Sequence, residues 1–383
     1  MTTRNPDPWS VTALDVQERL QEIRDIGATA AIATVVDVRG SAYRRSGAKM
    51  VLTPEGDQFG GITAGCLEGP VGELADRVFE TEQSVLERFD LVDDDEWGIG
   101  LGCNGVIDVL VEPVDDGWDA ALAALASGAP AVTATIVASM TDWAPVGARS
   151  TFHDGGIEEP NARPGLPHTL LEAVQDPLEA LCGSDGTELR TVDLGGDEVR
   201  VFLDGVRPPS RLLIFGGQPD TLPVARLARQ VGFRVEVATG RGARADPERF
   251  PPASKVFATH PDKLAEHVDA RTFVVVMTHN LLDDELALAS LADTEIPYFG
   301  LMGPRERFEK IRADLRDDGI ELPDGFLDRV ATPVGLDLGG GEPVEIALSI
   351  VAEIVAVENG REGGRLRERE GPIHGERTPL SGD

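Results

Sequence analysis

Arg211-Leu212-Leu213-Ile214-Phe215-Gly216-Gly217-Gln218-Pro219-Asp220-Thr221 decides the fold class of this 383-residue chain. Four apolar residues in a row, without polar alternation, are the pattern of a strand buried on both faces, as in a parallel sheet. Two glycines then turn the chain, residues 222–231 follow at helical spacing, Gly232 stops the helix, and residues 234–238 form the next apolar run. Strand, glycine turn, helix and strand open a doubly wound nucleotide-binding fold, and further strand-like runs at 255–258, 272–277 and 297–301 continue its sheet. Such sheets hold ligands beyond the carboxyl ends of their strands. Thr278-His279-Asn280 stands at that edge, as does Gly300-Leu301-Met302-Gly303-Pro304-Arg305, where Pro304 opens a helix with Arg305 and Arg307 near its start. Gly216, Gly217, His279 and Arg305 are therefore candidate residues for binding an anionic ligand. A histidine satisfied by loop carbonyls is the competing reading of His279.

The dinucleotide fingerprint itself is damaged. Gln218 occupies the place of the glycine that lets backbone touch a pyrophosphate, and Thr239 stands where an acid would hold a ribose hydroxyl. Asp220, the expected cap of the helix, would put a carboxylate where a phosphate wants to lie. NAD(P) is accordingly not the expected ligand, and an NAD(P)-binding oxidoreductase with His279 as acid or base is kept as the alternative function.

Upstream, residues 15–26 carry apolar Val16, Leu20, Ile23 and Ile26 at helical spacing, with Thr12 as cap and Gly27 as stop. A β-branched strand over 30–38 leads to Arg39-Gly40-Ser41-Ala42-Tyr43-Arg44-Arg45-Ser46-Gly47-Ala48-Lys49, a glycine-bounded loop with four cations. It reads as an anion site through Arg44 and Arg45, or as a solvated turn. Gly60-Gly61-Ile62-Thr63-Ala64-Gly65-Cys66-Leu67-Glu68 follows, running into a helix that starts near Leu67. That start puts Cys66 at the positive end of a helix dipole, where thiolate is favoured. The thiol then suits a soft metal ligand, a sulfur carrier or a nucleophile; a small buried cysteine is the structural alternative. A strand over 85–92 precedes a second glycine-cysteine run, Gly98-Ile99-Gly100-Leu101-Gly102-Cys103-Asn104-Gly105, and residues 106–111 form the strand after it. Gly65, Cys66, Gly102 and Cys103 thus stand in two loops adjoining strands of one small α/β domain. From 114 to 207 the signal is that of a poorly defined connecting region, with His153, His168 and Cys182 read as structural or surface residues. Residues 342–357 form an amphipathic helix, and 359–383 read as a disordered tail.

Composition excludes several classes. Against 67 acidic residues stand 35 basic ones, only four of them lysines (Lys49, Lys255, Lys263, Lys310), for a net charge of -32. Acids spread along the whole chain match a halophilic protein, where concentrated salt screens self-repulsion, and they exclude the basic face that nucleic acid requires. The polar start of the chain lacks the apolar run of a signal peptide, and no stretch reaches the roughly 18 apolar residues of a membrane span. A cytoplasmic location is expected. Three scattered cysteines do not make a disulfide framework or a zinc site of two-plus-two spacing.

Taken together, Gly40-Ser41, Gly47-Ala48-Lys49-Met50, Gly65-Cys66-Leu67-Glu68, Gly100-Leu101-Gly102-Cys103, Leu213-Ile214-Phe215-Gly216, Thr278-His279, Gly300 through Arg305 and Pro333-Val334-Gly335-Leu336 with Glu345-Ile346-Ala347-Leu348-Ser349-Ile350 resemble, in order, the XdhC/CoxI family of molybdenum hydroxylase accessory proteins. The resemblance implies an amino-terminal XdhC/CoxI domain (12–113) and a carboxyl-terminal Rossmann-like domain (210–358). It also implies a cofactor-insertion chaperone, rather than an enzyme, that binds the molybdenum cofactor as cargo, supports its sulfuration and delivers it to a xanthine or carbon monoxide dehydrogenase. On that reading Cys66 and Cys103 are molybdenum thiolate ligands, the arginines or the Rossmann loops hold the phosphate, and the partners are the apo-hydroxylase and a cysteine desulfurase, with self-association also expected.

Overall fold

The computed structural model describes residues 10–91, 105–368 and 370. The chain divides into two compact units, Met1–Pro208 and Pro209–Asp383.

In the first unit, α1 (Ala13–Ile26) begins at the expected cap: the Thr12 hydroxyl accepts from the Asp15 amide while the Asp15 carboxylate accepts from the Thr12 amide at 2.7 Å. It ends at Gly27, whose φ of 64° is the left-handed conformation that glycine adopts without penalty. Then come β1 (Ala31–Gly40), β2 (Lys49–Leu52), β3 (Gln58–Gly60), α2 (Glu68–Thr81), β4 (Val85–Asp90) and β5 (Gly105–Pro113). The strands pair antiparallel in the order β3-β2-β1-β5-β4. Ala31, Ala33, Val35, Met50, Val109 and Val111 lie on one face, buried against Val71, Leu74 and Val78 of α2.

Residues 114–207 are not a connection. They form α3 (Asp119–Ser127), β6 (Ala131–Ala138), β7 (Arg149–His153), β8 (Gly156–Glu158), α4 (His168–Leu181), β9 (Thr187–Leu194) and β10 (Asp197–Val206), with the strand order β8-β7-β6-β10-β9. Leu170, Val174 and Leu178 of α4 cover Val132, Ile136, Val199 and Leu203. Helix, three strands, helix, two strands, in the same sheet order, is the plan of residues 13–113 repeated. The repeat reaches individual hydrogen bonds. Val35 and Ala48 are bonded as Ile136 and Ala148 are, both N–H to O distances being 2.9 Å, and Gly47 and Gly147 each have φ 88°. Even the sequences agree: Ala33-Thr34-Val35-Val36 matches Ala134-Thr135-Ile136-Val137, and Gly47-Ala48-Lys49 matches Gly147-Ala148-Arg149.

Between the two sheets, Val36, Leu110 and Leu86 meet their counterparts Val137, Phe202 and Leu189. Charges cross in the same reciprocal way. Lys49 pairs with Asp204 at 2.5 Å, and Arg149 with Glu112 at 2.6 Å. A self-complementary interface of this kind has local two-fold symmetry, each copy giving the cation that the other neutralises.

In the second unit, β11 (Arg211–Phe215), α5 (Thr221–Gln230), β12 (Arg234–Thr239), β13 (Lys255–Ala258), β14 (Thr272–Val276), α6 (Leu281–Leu291), β15 (Tyr298–Leu301), α7 (Arg305–Asp317), α8 (Asp324–Leu327), β16 (Val330–Ala331) and α9 (Pro343–Glu358) follow in order. The sheet is parallel throughout, in the order β13-β12-β11-β14-β15-β16, the doubly wound arrangement expected from the sequence. Apolar residues of α5 and α9 (Val224, Ala228, Ile350, Ile354) bury one face, and those of α6 and α7 (Ala287, Leu288, Ile311, Leu315) the other. Strand order reverses at β11, so a crevice opens between the β11 and β14 loops. The Pro333-Val334-Gly335-Leu336 motif is structural here. Glu353 of α9 accepts from the Gly335 amide at 2.8 Å and from the Tyr298 hydroxyl, and burial together with the Glu353 charge drives the Tyr298 phenol far above its usual range.

Candidate functional site

A cavity of about 410 Å³ fills the crevice at the carboxyl edge of the parallel sheet. Its walls come from three turns. The β11 turn supplies Gly216 and Gly217, the β12 turn Thr239, Arg241 and Arg244, and the β14 turn His279, Asn280 and Asp283. Gly216 allows the first and third turns to touch, because a Cβ there would lie 2.5 Å from the Met277 carbonyl oxygen. Gly217 allows the first and second to touch: a Cβ would stand 3.0 Å from both Arg244 Cβ and Thr239 Oγ1. The Gly217 carbonyl accepts from Arg249 at 3.0 Å, which fixes the turn from its other side.

His279 has φ 57°, left-handed backbone that a non-glycine residue adopts only when its surroundings hold it. Two features hold it. Its Nε2 lies 2.8 Å from Asp220 Oδ2, and the neighbouring Asn280 caps α6 by accepting from the Leu282 and Asp283 amides. Behind the turn, buried Asp284 accepts from the Thr278 hydroxyl and from Arg307 Nε at 2.8 Å. Burial pushes the Asp284 carboxyl up, and the Thr278 and Arg307 bonds oppose that shift. Asp220 does not cap α5: its side chain makes no bond to that helix and turns to His279 instead, a non-local partner winning over a local one. Arg305 is exposed at the start of α7 and does not line the cavity; Arg307, two residues on, is taken up by Asp284.

In the first unit, the two candidate loops leave one end of the first sheet. Gly40 pairs with Gly105, Met50 with Gly60, and Asp90 with Val106, so the loop after β1, the loop after β3 and the strand starting at Gly105 share that end. A Cβ on Gly105 would lie 2.5 Å from the Ser41 carbonyl oxygen, which packs β5 against the basic loop. Within that loop the four cations divide. Arg39 pairs with Asp37 and Asp108, and Lys49 with Asp204, whereas exposed Arg44 and Arg45 have no ion pair among the described residues. Gly65 takes φ 104°, and Cys66, half-buried, borders the core under α2. Its amide donates to Thr63 Oγ1, which donates to Glu68 at 2.6 Å; Glu68 also accepts from the Thr63 and Leu67 amides. The amino end of α2 therefore also holds the Glu68 carboxylate, two residues from Cys66. Gly102 and Cys103 lie outside the described residues.

Known proteins share this chain along most of its length. The XdhC Rossmann domain description matches residues 212–354, and the XdhC and CoxI family description matches residues 24–90. The chain belongs to the XdhC/CoxI family. This XdhC/CoxI chain is 29% identical over 334 residues to a probable xanthine dehydrogenase subunit of Bacillus subtilis, covering 85% of the chain and 92% of that relative. It is 24% identical over 332 residues to the molybdenum cofactor insertion chaperone PaoD of Escherichia coli, covering 86% of the chain and 84% of that protein. A crystal structure of a xanthine dehydrogenase from Bacillus halodurans superposes with a TM-score of 0.71 at 27% identity, covering 90% of this chain and 96% of that one. Among the described residues of this family member, no helix is long and apolar enough to cross a membrane.

Two site features escaped sequence reasoning. Arg241 and Arg244 line the cavity, and the signal for them was two arginines within five residues of the end of the second Rossmann strand. The repeat was the other, visible as two matched segments about a hundred residues apart.

Proposed function

We propose that this protein is a maturation factor that holds the molybdenum cofactor, supports its sulfuration and passes it to a molybdenum hydroxylase. The observation that carries the reading is that two candidate loops leave one sheet end: one holds Arg44 and Arg45, without ion pairs among the described residues, and the other holds Gly65-Cys66. That pairing suits a cargo with a phosphate at one end and a sulfur-rich molybdenum centre at the other, since guanidinium forks match phosphate and thiolate suits a soft metal. Among the described residues no group of three or more His, Cys, Asp or Glu side chains is placed to hold a metal ion. On this reading the cargo is gripped through its organic part and phosphate, with Cys66 and Cys103 as the thiolates offered to the metal. Weak protein ligation favours release, which a delivery factor requires. The names of two relatives, a molybdenum cofactor insertion chaperone and a probable xanthine dehydrogenase component, point to the same role and to a hydroxylase as recipient.

The test is retention. Protein purified anaerobically in molar potassium chloride is mixed with molybdenum cofactor, desalted, and assayed for molybdenum and for oxidised-pterin fluorescence. Stoichiometric retention of both is expected, with loss of most of the molybdenum in Cys66→Ala/Cys103→Ala. No retention by a folded protein overturns the reading and favours an NAD(P)-dependent oxidoreductase built on the parallel sheet.

A further inference from the structure

We infer that the cavity of the Rossmann-like unit binds a phosphomonoester carried on a heterocycle, with the phosphate on Arg241 and Arg244 and not on the amino end of α5. In a doubly wound fold a pyrophosphate lies over the glycine turn, against the first helix. Here both parts of that place are taken. The stem of Arg244 crosses Gly217, its Cβ and Cδ lying 3.0 and 3.2 Å from where a Gly217 Cβ would be. Asp220, the residue before α5, brings a carboxylate bonded to His279 on one oxygen, while its other oxygen is buried without a partner among the described residues. A diphosphate approaching α5 would meet that charge.

The cationic place has moved to the end of β12. The Arg241 amide donates to Thr239 Oγ1 at 3.3 Å and the Arg244 amide to the Arg241 carbonyl at 2.8 Å, so a closed turn carries both guanidinium groups. Neither is ion-paired among the described residues, in a chain with almost two acids per base. Arginines after the second strand are where such folds receive a phosphate on the ribose side. The opposite wall has the other polarity: Asp283, Leu281 and the imidazole face of His279 suit an amino-bearing or hydroxylated ring and repel a second phosphate. One anionic end and one neutral heterocyclic end describe a nucleoside monophosphate.

Calorimetric titration of the full chain with 5′-GMP, guanosine, inorganic phosphate and NAD separates the possibilities. Expected are binding of 5′-GMP at least tenfold tighter than guanosine or NAD, weaker binding of phosphate alone, and loss of the GMP advantage in Arg241→Ala/Arg244→Ala. Arg241→Lys/Arg244→Lys, which keeps the charge and loses the fork, should recover part of it, and circular dichroism checks that both variants fold. Equal binding of GMP and guanosine, NAD binding tighter than GMP, or no binding of GMP by folded protein each overturn the inference. These titrations use no molybdenum cofactor, so they stand or fall apart from the maturation role.

Discussion

The two halves of the amino-terminal unit have one topology and unequal equipment. Residues 13–113 and 119–206 share strand order, helix placement and a glycine turn of the same φ, yet their matching loops differ: only the first half has cations in the loop between its first two strands and a cysteine just before the helix that follows its third strand. Where the first has Ser41-Ala42-Tyr43-Arg44-Arg45-Ser46, the second has Ser139-Met140-Thr141-Asp142-Trp143-Ala144-Pro145-Val146, with no basic residue. Where the first has Gly65-Cys66-Leu67 before its helix, the second has Gly165-Leu166-Pro167. The strands of both halves must bury the same faces, so packing holds them alike, while loops at a sheet end are free to diverge. On the proposed function, one half supplies the loops that meet the cargo and the other completes the buried interface against it.

Breaking that interface should have the largest effect, and an unequal one. Arg149 spans Glu112 and Thr135 Oγ1 (2.9 Å) and lies 3.9 Å over the Trp118 ring, whereas Lys49 bonds Asp204 and the Gly47 carbonyl. Removing one member of a buried pair leaves its partner uncompensated, so Arg149→Met should cost about 3–5 kcal/mol in denaturant unfolding. Lys49→Met should cost about 2 kcal/mol, having fewer bonds to lose. Equal losses would mean that the halves are energetically as well as topologically equivalent.

The functional asymmetry gives the next effect. Arg44→Ala/Arg45→Ala should lower cofactor retention at least tenfold, roughly 1.4 kcal/mol or more, with unfolding changed by less than about 0.5 kcal/mol. Trp143→Ala, in the matching loop of the second half, should leave retention unchanged. Retention lost in both variants, or in neither, would remove the division of labour.

The smallest effect tests a place where equivalent positions carry opposite charge and meet. Asp108 and Arg200 each pair with the residue after the same bulge in their halves, and they meet at 3.4 Å, joined by Arg88 at 2.7 Å. Burial alone would raise the Asp108 carboxyl, but the Arg88 bond and the Arg39 and Arg200 charges outweigh it and hold the group below its usual range. A carboxyl depressed by folding stabilises the protein above its unfolded pKa of about 3.9 and loses that contribution as pH falls through the folded value. Asp108→Asn should therefore be about 1–2 kcal/mol less stable at pH 7, with the gap closing toward pH 3; a gap constant with pH would place the loss in packing instead.

The sequence by itself determined the elements whose cause is local. Apolar runs gave the strands of the parallel sheet, Thr12 and Gly27 the ends of α1, and Pro343 the first turn of α9, because burial periodicity and capping act within a few residues. Only the tertiary structure decided which charges are spent and which are available. Local rules give Asp220 to α5 as a cap and Cys66 the dipole of α2, but His279 claims the first and Glu68 shares the second. Arg39, Arg44, Arg45 and Lys49 look alike along the chain, and Arg305 resembles Arg241 and Arg244; their different fates depend on carboxylates up to 155 positions away. The repeat was written in two matched segments, yet it took the fold to bring Lys49 to Asp204 and Arg149 to Glu112. Hydrogen bonds that make a helix or a turn connect near neighbours, whereas the neutralisation of a charge depends on whichever partner packing brings within reach.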